Sequence, residues 1–373
     1  MRKVFTSEVM KRLYSIDTLR GLSMICILGL TNWLQSFLAL FPGWKDCWLY
    51  GQFVHVPWHG LAIEDLFFPT FLFVSGVTFP MSLARQREKG ATTGRIVRKI
   101  LVRGAVLYAL GLIFVGFLKL DFGHMKWVSV LGRIGVAWAA SALVFLFVRR
   151  NGARLAIFAA LIIVHWACNR FIGAPDFPDA ALFTKEGSFS VYVDRQILGH
   201  YAAEGIFGFV TSIGTAMLGM FAGEVLLGVE DRCRCRKEVR LLLFGVALLL
   251  AGWAFSFLIP VNKKLWSSSF VLVAGGISTL ALAALYWLID VKEIGRDASI
   301  VFRIIGMNSI ALYMAPLLIK YPPATDFLVG GIKTHLVAAG FPNVGDFVWW
   351  TVFIGLNWLL GWFLYRQKVF IKV

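Results

Sequence analysis

Residues 61–84 form the stretch LAIEDLFFPTFLFVSGVTFPMSLA, and this stretch decides the class of fold. It is long enough to cross about 30 Å of hydrocarbon, which requires roughly 20 helical residues. Only Glu64 and Asp65 are charged within it, and both stand near its beginning. The stretch therefore predicts a transmembrane helix that carries two carboxylates at one membrane face.

Nine other apolar runs of comparable length occur along the chain. Together they predict about ten transmembrane helices, near residues 19–40, 61–84, 100–118, 127–148, 154–172, 205–228, 240–260, 267–289, 301–319 and 346–365. The composition agrees, because the 373 residues are 58% hydrophobic and 16% charged, with a mean hydropathy of +0.74. No soluble fold buries that much apolar surface. The sequence predicts an all-α, polytopic helix bundle in a membrane, formed as a single domain over residues 1–373.

The basic residues are distributed unevenly between the two sides of this bundle. With a cytoplasmic N-terminus, 26 of the 37 Lys and Arg fall in cytoplasmic segments, as the positive-inside rule requires. We therefore expect both chain ends in the cytoplasm, and we assign the net charge of +16 to orientation rather than to nucleic-acid binding. The two longest loops, 173–204 and 320–345, are then expected outside.

The five cysteines do not form a recognisable framework. Cys26 and Cys168 fall within predicted spans, Cys47 lies outside, and Cys233 and Cys235 form a C-x-C pair in a basic inner loop. A C-x-C pair without a nearby histidine is a weak metal pattern. We predict neither a disulfide nor a metal site.

A cluster of polar residues precedes and opens the second predicted span. His55, Trp58 and His59 are followed closely by Glu64 and Asp65. A neutral imidazole can accept a proton or an acyl group, and a nearby carboxylate can fix its tautomer. The alternative is structural: the rings form part of an interfacial belt, and the carboxylates cap the helix N-terminus.

Other polar side chains inside predicted spans are Asn32, Arg133, His165 and Asn308. An unpaired charge at membrane depth costs at least about 2.5–3.5 kcal/mol, so intramembrane ionisable groups are functional candidates. We expect Asp65 to be the anionic partner of Arg133, either within a site or simply as a pair that locks two helices. The asparagines could equally hydrogen-bond neighbouring helices.

The inner loop 85–103 is strongly basic. It carries Arg85, Arg87, Lys89, Arg95, Arg98, Lys99 and Arg103. Such a cluster either anchors the protein to anionic lipid or binds a phosphate-rich cytosolic ligand through charge-assisted hydrogen bonds. The pattern alone is compatible with both.

Several motifs, in a shared order over some 300 residues, resemble the heparan-α-glucosaminide N-acetyltransferase family and its bacterial relatives. These motifs are SIDTLRG at 15–21, HVPWHG at 55–60, DLFFP at 65–69, FLFVSG at 71–76, DR at 194–195, LG at 198–199, EG at 204–205, MLGMFAG at 217–223, PVNKKLWS at 260–267 and GMNSI at 306–310. The family passes acetyl from cytosolic acetyl-CoA to an amino sugar across a membrane. The resemblance implies the same reaction here, in a bacterial inner membrane, with acetyl-CoA as donor and no metal.

The resemblance also implies roles for individual residues. It makes His55 the general base or acyl acceptor, with Asn32 and Asp65 beside it. We expect the acceptor to be bound by Trp58, His59, Arg133, Glu204, Asn262, Lys264 and Asn308. We expect the donor phosphates to be bound by Arg20, Arg85, Arg98, Lys99 and Arg103. Membrane lipid and a small-molecule or glycan amine are the expected partners, and a homodimer is what the family implies.

Two other functions are compatible with the same residues. A proton-coupled transporter or flippase of a sugar-like substrate could use His55, Asp65 and Arg133 as its substrate site. An O-acyltransferase that modifies an envelope polysaccharide would form an ester instead of an amide. Transport without acetyl-CoA distinguishes the first from an acetyltransferase, and the product bond distinguishes the second.

Overall fold

The computed structural model describes residues 12–120, 127–228 and 236–371. These ranges are mainly helical, and no strand occurs within them. The α-helices are α1 (Tyr14–Ile25), α2 (Thr31–Leu38), α3 (Trp48–Gln52), α4 (Phe67–Glu88), α5 (Thr93–Phe114), α6 (Val130–Phe147), α7 (Asn151–Ala167), α8 (Phe189–Leu198), α9 (Gly208–Leu227), α10 (Lys237–Ser256), α11 (Ser268–Leu285), α12 (Ile300–Met307), α13 (Ser309–Leu318), α14 (Tyr321–Ala338) and α15 (Pro342–Arg366). The predicted polytopic helix bundle is confirmed.

The described ranges contain eight helical segments that are long and apolar enough to cross a membrane, rather than the predicted ten. These segments are Tyr14–Leu38, Ile63–Glu88, Val130–Phe147, Asn151–Ile172, Gly208–Leu227, Lys237–Ser256, Ser268–Val291 and Pro342–Arg366. Helices α12 and α13 are bent by 72° relative to each other, and the number is nine if this pair counts as one span. The predicted span near 100–118 overlaps α5, which is 22 residues long. Helix α5 is not among the eight segments, because it carries four basic residues in its first half.

The sequence predicts an external loop over 320–345, but the structure has a helix there. Helix α14 occupies most of this segment, and a short turn at Gly340 leads directly into α15. The two helices pack together, and Lys333 Nζ lies 2.8 Å from Asp346 Oδ1. Prolines at the start of α14 and polar residues along it weaken its apolar pattern, which is why the pattern indicated a loop.

Helix α4 contacts α1, α6, α9 and α11. Its approach to α9 is especially close, because a Cβ at Gly76 would collide with the backbone of Ala216, and one at Gly219 with the backbone of Phe73. Small residues at helix contacts allow such close packing in membranes. Helix α4 also joins two chemically different ends of the bundle. We call the end that contains Asp65 the histidine end, and the end that contains Glu88 the basic end.

Candidate active site

The histidine end is built from two irregular segments that meet. Residues 53–62 connect α3 to the short 3₁₀ turn Ile63–Leu66 that leads into α4. Residues 257–267 connect α10 to α11. The Gly60 N–H donates to the Val261 carbonyl over 2.9 Å and ties the two segments together. Irregular backbone at the edge of a membrane bundle requires such internal hydrogen bonds.

Asp65 lies at the centre of this end and is only 1% exposed. Its Oδ1 atom lies 2.8 Å from His55 Nδ1 and 3.4 Å from Lys263 Nζ. Its Oδ2 atom accepts from the backbone N–H groups of Ala62, over 3.2 Å, and Val56, over 3.4 Å. A buried carboxylate needs this degree of pairing, because leaving it unpaired would be strongly unfavourable.

The hydrogen bond to Asp65 determines which nitrogen of His55 is available for chemistry. An ionised carboxylate only accepts, so Nδ1 carries the hydrogen and Nε2 presents its lone pair. The His55 side chain is 47% exposed, whereas that of Asp65 is 2% exposed. The arrangement can therefore present a neutral, oriented imidazole to a ligand, as a general base or nucleophile requires. Beyond Nε2, Glu64 Oε1 lies at 3.8 Å.

His59 and Trp58 attach the same segment to two other loops. The Asn262 side-chain amide lies 3.3 Å from His59 Nδ1, and Asn262 Oδ1 accepts from the Leu265 N–H over 2.9 Å. Partial burial lowers the pKa of His59. Trp58 Nε1 donates to the Phe183 carbonyl over 2.8 Å. Trp58, His59 and Asn262 therefore lie together with His55 at one end of the bundle.

The expected pairing of Arg133 with Asp65 is wrong. Arg133 is fully buried, and it donates to Ser212 Oγ over 2.8 Å and to the backbone carbonyls of Glu204 and Gly205. Asp65 is instead engaged by His55 and Lys263. A hydroxyl and two carbonyls accept from the two terminal nitrogens of the guanidinium, whereas the buried Nε has no hydrogen-bond partner among the described residues. Arg133 is therefore held by neutral acceptors rather than by a direct carboxylate contact.

Asp194 hydrogen-bonds the same loop, residues 202–206, whose backbone carbonyls accept from Arg133. Its Oδ1 atom accepts from the Ile206 N–H over 2.7 Å, and the carboxylate is almost fully buried. Burial raises the pKa of Asp194 to about 6, although hydrogen bonds from Ile206 and Ala202 and the charge of Arg133 act in the opposite direction. Arg133 and Asp194 thus stabilise the turn at 202–206 from two sides.

Four predicted site residues make no side-chain hydrogen bond or ion pair with the His55 cluster within the described ranges. The Asn32 side chain is exposed and makes no hydrogen bond within the described ranges. The Glu204 N–H donates to the Lys264 carbonyl over 2.7 Å, so these two residues join their loops through backbone rather than side chains. Asn308 lies at the bend between α12 and α13, where it donates to the Val369 carbonyl and accepts from the Ile371 N–H. Its amide anchors the C-terminal segment.

A cavity of about 810 Å³ opens at the basic end. It is lined by one face of α4 and by parts of α1, α5, α6 and the α12–α13 bend, together with Phe370 and Ile371. Its basic side chains are Arg12, Arg20, Arg85, Lys89, Lys99 and Arg103. Among the described residues, Asp17 is the only acidic side chain in the lining, and it pairs with Arg12 at 2.7 Å and Arg20 at 3.4 Å. This cavity could hold a polyanionic ligand.

Four of the five residues predicted to bind donor phosphates line this cavity, and Arg98 does not. Arg98 is exposed on α5 beside Lys99, and successive residues on a helix point in directions about 100° apart. Arg12, which the sequence did not indicate, also lines the cavity, as does Lys89 of the basic inner loop, which was not among the five. The guanidinium of Arg103 also stacks on Trp138, with 4.3 Å from Cζ to the ring centroid. That contact fixes its position deeper in the cavity.

The cavity and the His55 cluster are connected by α4. The cavity lining on α4 extends from Lys89 to Phe71, which is about 27 Å along the helix axis at 1.5 Å per residue. Asp65 lies about 9 Å further along the chain by the same measure. A ligand that entered at the basic end could therefore reach most of the way to the imidazole inside the protein.

The most important residue that the sequence did not indicate is Lys263. It lies in the same PVNKKLWS motif as the predicted Lys264, but Lys263 is 8% exposed and contacts both Asp65 and His55. Within the described ranges, no three His, Cys, Asp or Glu side chains converge as metal ligands do. Cys26, Cys47 and Cys168 are free thiols, whereas Cys233 and Cys235 lie outside the described residues.

Comparisons with known proteins connect this geometry to one family. No protein-family model matches the chain. It is similar to the heparan-alpha-glucosaminide N-acetyltransferase of Homo sapiens, with 26% identity over 98% of this chain and 61% of that protein. It is likewise similar to the protein of the same name from Mus musculus, with 25% identity over 97% of this chain and 60% of that protein. The chain spans about three fifths of the length of these relatives. The family-level relationship that the motifs predict is confirmed.

Proposed function

We propose that this chain is a transmembrane N-acetyltransferase that transfers acetyl from cytosolic acetyl-CoA to an amine at the outer membrane face. The observation that carries the proposal is the position of α4, which lines the basic cavity at one end and brings Asp65 to His55 at the other. The names of the two relatives support the reaction type. The positive-inside distribution of Lys and Arg supports placing the basic end in the cytoplasm.

The basic cavity suits the phosphates and nucleotide of acetyl-CoA. Six basic side chains line it, and Phe71, Phe79 and Trp138 are among its apolar lining residues. In our proposal, Arg20, Arg85, Lys99 and Arg103 bind the phosphates together with Arg12 and Lys89. The pantetheine arm follows the face of α4 and presents the thioester towards His55.

The chemistry requires one base and one leaving group. In direct transfer, the acceptor nitrogen attacks the thioester carbonyl and gives a proton to His55 Nε2. The N–C bond forms, the C–S bond breaks, and the CoA thiolate leaves with the proton returned by the imidazolium. In covalent transfer, Nε2 attacks the thioester carbonyl, the C–S bond breaks and the CoA thiolate leaves. The amine then attacks the acetyl-imidazolium, the C–Nε2 bond breaks, and the amine proton neutralises the thiolate. In either route Asp65 orients the imidazole through Nδ1.

Asn32 and the polar residues around His59 complete the proposed site. The Asn32 amide makes no hydrogen bond within the described ranges, so it is available to a ligand, and we assign it the thioester oxygen on which charge develops. Trp58, His59 and Asn262 lie next to His55 and are assigned to the acceptor. Arg133, Glu204 and Lys264 support the neighbouring loops in this proposal.

The decisive experiment follows CoA release by the purified protein in nanodiscs, with acetyl-CoA and glucosamine. We expect release that depends on the amine, together with an amide product identified by mass spectrometry. An ester product would favour O-acylation. Uptake of labelled glucosamine by proteoliposomes without acetyl-CoA would favour a transporter, and the absence of any CoA release with a panel of amines would reject the proposal.

Sidedness is tested in the same proteoliposomes. Acetyl-CoA is enclosed with the basic end inside, and glucosamine is added outside. Proteolysis of exposed loops separates the two orientations of the protein. We expect acetylated sugar outside and free CoA inside only for molecules whose basic end faces the lumen.

A further inference from the structure

Glu64 has no assigned role, although it faces the reactive nitrogen of His55. The imidazole lies between two carboxylates: Asp65 is on the Nδ1 side at 2.8 Å, and Glu64 Oε1 is on the Nε2 side at 3.8 Å. A separation of 3.8 Å is too long for a hydrogen bond. Glu64 Oε2 is buried and has no hydrogen-bond partner among the described residues. The Thr31 hydroxyl hydrogen-bonds the Glu64 side chain, but with Oε2 unpaired this carboxylate is incompletely satisfied within the described residues.

The tautomer of His55 indicates which kind of group could occupy the gap between His55 Nε2 and Glu64 Oε1. With the hydrogen on Nδ1, Nε2 and Glu64 Oε1 are both acceptors, and two acceptors that face each other need a donor between them. A nitrogen placed about 2.9 Å from each atom would form an angle of about 80° between them. An ammonium group, with three N–H donors, can satisfy both acceptors at once and leave a third donor for another group.

The remaining charges around the gap favour a cation there. Asp65 is already engaged by Lys263 and by two backbone N–H groups, so it cannot serve as the counter-ion. Lys263 Nζ lies on the Nδ1 side of the ring, 3.4 Å from that nitrogen. The Glu64 side chain is 17% exposed, which gives a ligand access to it.

We propose that Glu64 binds the acceptor as a protonated amine and that it thereby selects cationic primary amines over neutral ones. This inference rests on the proposed acetyltransferase function. The ammonium must lose one proton before it attacks, and Glu64 accepts that proton and releases it to solvent. The second proton goes to His55 Nε2 as the N–C bond forms, and it leaves with the CoA thiol. The overall reaction then releases one proton per acetyl group transferred.

The test compares two acceptors on the wild type and on Glu64→Gln. One acceptor is glucosamine, which is an ammonium at neutral pH, and the other is O-methylhydroxylamine, whose weakly basic nitrogen is uncharged there. We expect Glu64→Gln to raise the KM for glucosamine roughly 10- to 100-fold, the range for losing a charge-assisted hydrogen bond. The KM for O-methylhydroxylamine and the KM for acetyl-CoA should change less than threefold.

Further variants separate ligand binding from structural support. Glu64→Asp should restore part of the preference for glucosamine, because it keeps the charge. Glu186→Gln is the matched control, since Glu186 is exposed in the loop between α7 and α8 and should leave both KM values unchanged. An equal rise in KM for both acceptors would show that Glu64 only supports the site or holds a protonated His55, and it would overturn the inference. Unchanged KM values would do the same.

Failure of the proposed function can be recognised separately. If the wild type transfers acetyl to neither amine, the acetyltransferase proposal fails, and calorimetry in nanodiscs then tests Glu64 alone. Binding of glucosamine that is lost in Glu64→Gln and kept in Glu186→Gln would support the ammonium site. Equal binding by the wild type and Glu64→Gln would overturn it.

Discussion

His55 and Asp65 share a hydrogen bond of 2.8 Å in which the carboxylate is buried and the imidazole is half exposed. The buried partner is held by two backbone N–H groups and by Lys263, so the bond fixes the orientation of the ring. A pre-oriented base loses little entropy on reaching the transition state. The segment from His55 to Asp65 is therefore where activity should be most sensitive to substitution.

Replacing His55 by Ala should lower kcat for amine-dependent CoA release by at least about 100-fold, because both proposed routes use Nε2. Acetyl-CoA binding at the basic end should remain. The measurement is steady-state CoA release, with calorimetry for donor binding. His335→Ala, at an exposed histidine on α14, is the matched control. Wild-type turnover by His55→Ala would remove this residue from the mechanism.

Replacing Lys99 or Arg103 by Ala should weaken acetyl-CoA binding roughly 10- to 100-fold, because each removes a cation from the cavity lining. Arg98→Ala should bind acetyl-CoA within threefold of the wild type, since Arg98 is exposed outside the cavity. Isothermal titration in nanodiscs measures the three dissociation constants. A larger loss in Arg98→Ala than in Lys99→Ala would mean that the cavity does not hold the phosphates.

The contacts of Asp65 can be measured by double-mutant cycles on the free energy of unfolding in mixed micelles. Asp65→Asn and Lys263→Met should couple by about 0.5–3 kcal/mol, because the two side chains are in contact. Asp65→Asn and Arg133→Met should add within about 0.5 kcal/mol, because Arg133 bonds Ser212 and backbone carbonyls instead. Strong coupling between Asp65 and Arg133 would contradict the arrangement described here.

Stability should fall as pH rises through the range in which Asp194 ionises. Burial raises its pKa from 3.8 to about 6, so the folded state favours the protonated form. That contribution is fully present below about pH 4 and is lost as the pH rises through about 6. Asp194→Asn should abolish this part of the pH dependence. Thermal unfolding of both proteins between pH 4 and pH 7.5 measures the difference, and parallel curves would contradict it.

The sequence was most informative about the membrane helices, because the thickness of a bilayer imposes a length that few other structures share. The prediction of a loop at 320–345 was wrong, because Asp326, Lys333 and two prolines interrupt the apolar pattern of α14, a helix that packs on α15. The sequence pattern assigned the basic residues of 85–103 to an inner loop and began a span near 100, whereas α5 begins at Thr93 and includes four of these basic residues. The apolar runs were enough to predict most of the helices, whereas how each helix packs depends on the neighbouring helices.

The contacts of individual side chains were harder to predict than the helices or loops on which those residues lie. Arg133 was expected to pair with a carboxylate, but its terminal nitrogens donate to a hydroxyl and two carbonyls, and the sequence contains no signal for backbone acceptors. Lys263 and Lys264 are adjacent and chemically identical, so only the turn that buries Lys263 distinguishes them. Arg98 and Lys99 are both basic, and the direction in which α5 projects each side chain determines which of them lines the cavity. Orientation in each case comes from tertiary structure.

The C-terminal segment has a practical consequence for protein engineering. Phe370 and Ile371 form part of the wall of the basic cavity, and Asn308 holds the backbone of Val369 and Ile371 in place. A fusion partner or affinity tag joined directly after this segment would lie next to the basic cavity. It is therefore expected to change measured ligand affinities. The turn at Gly340, which is exposed and has open space around it, is a safer insertion point for a label.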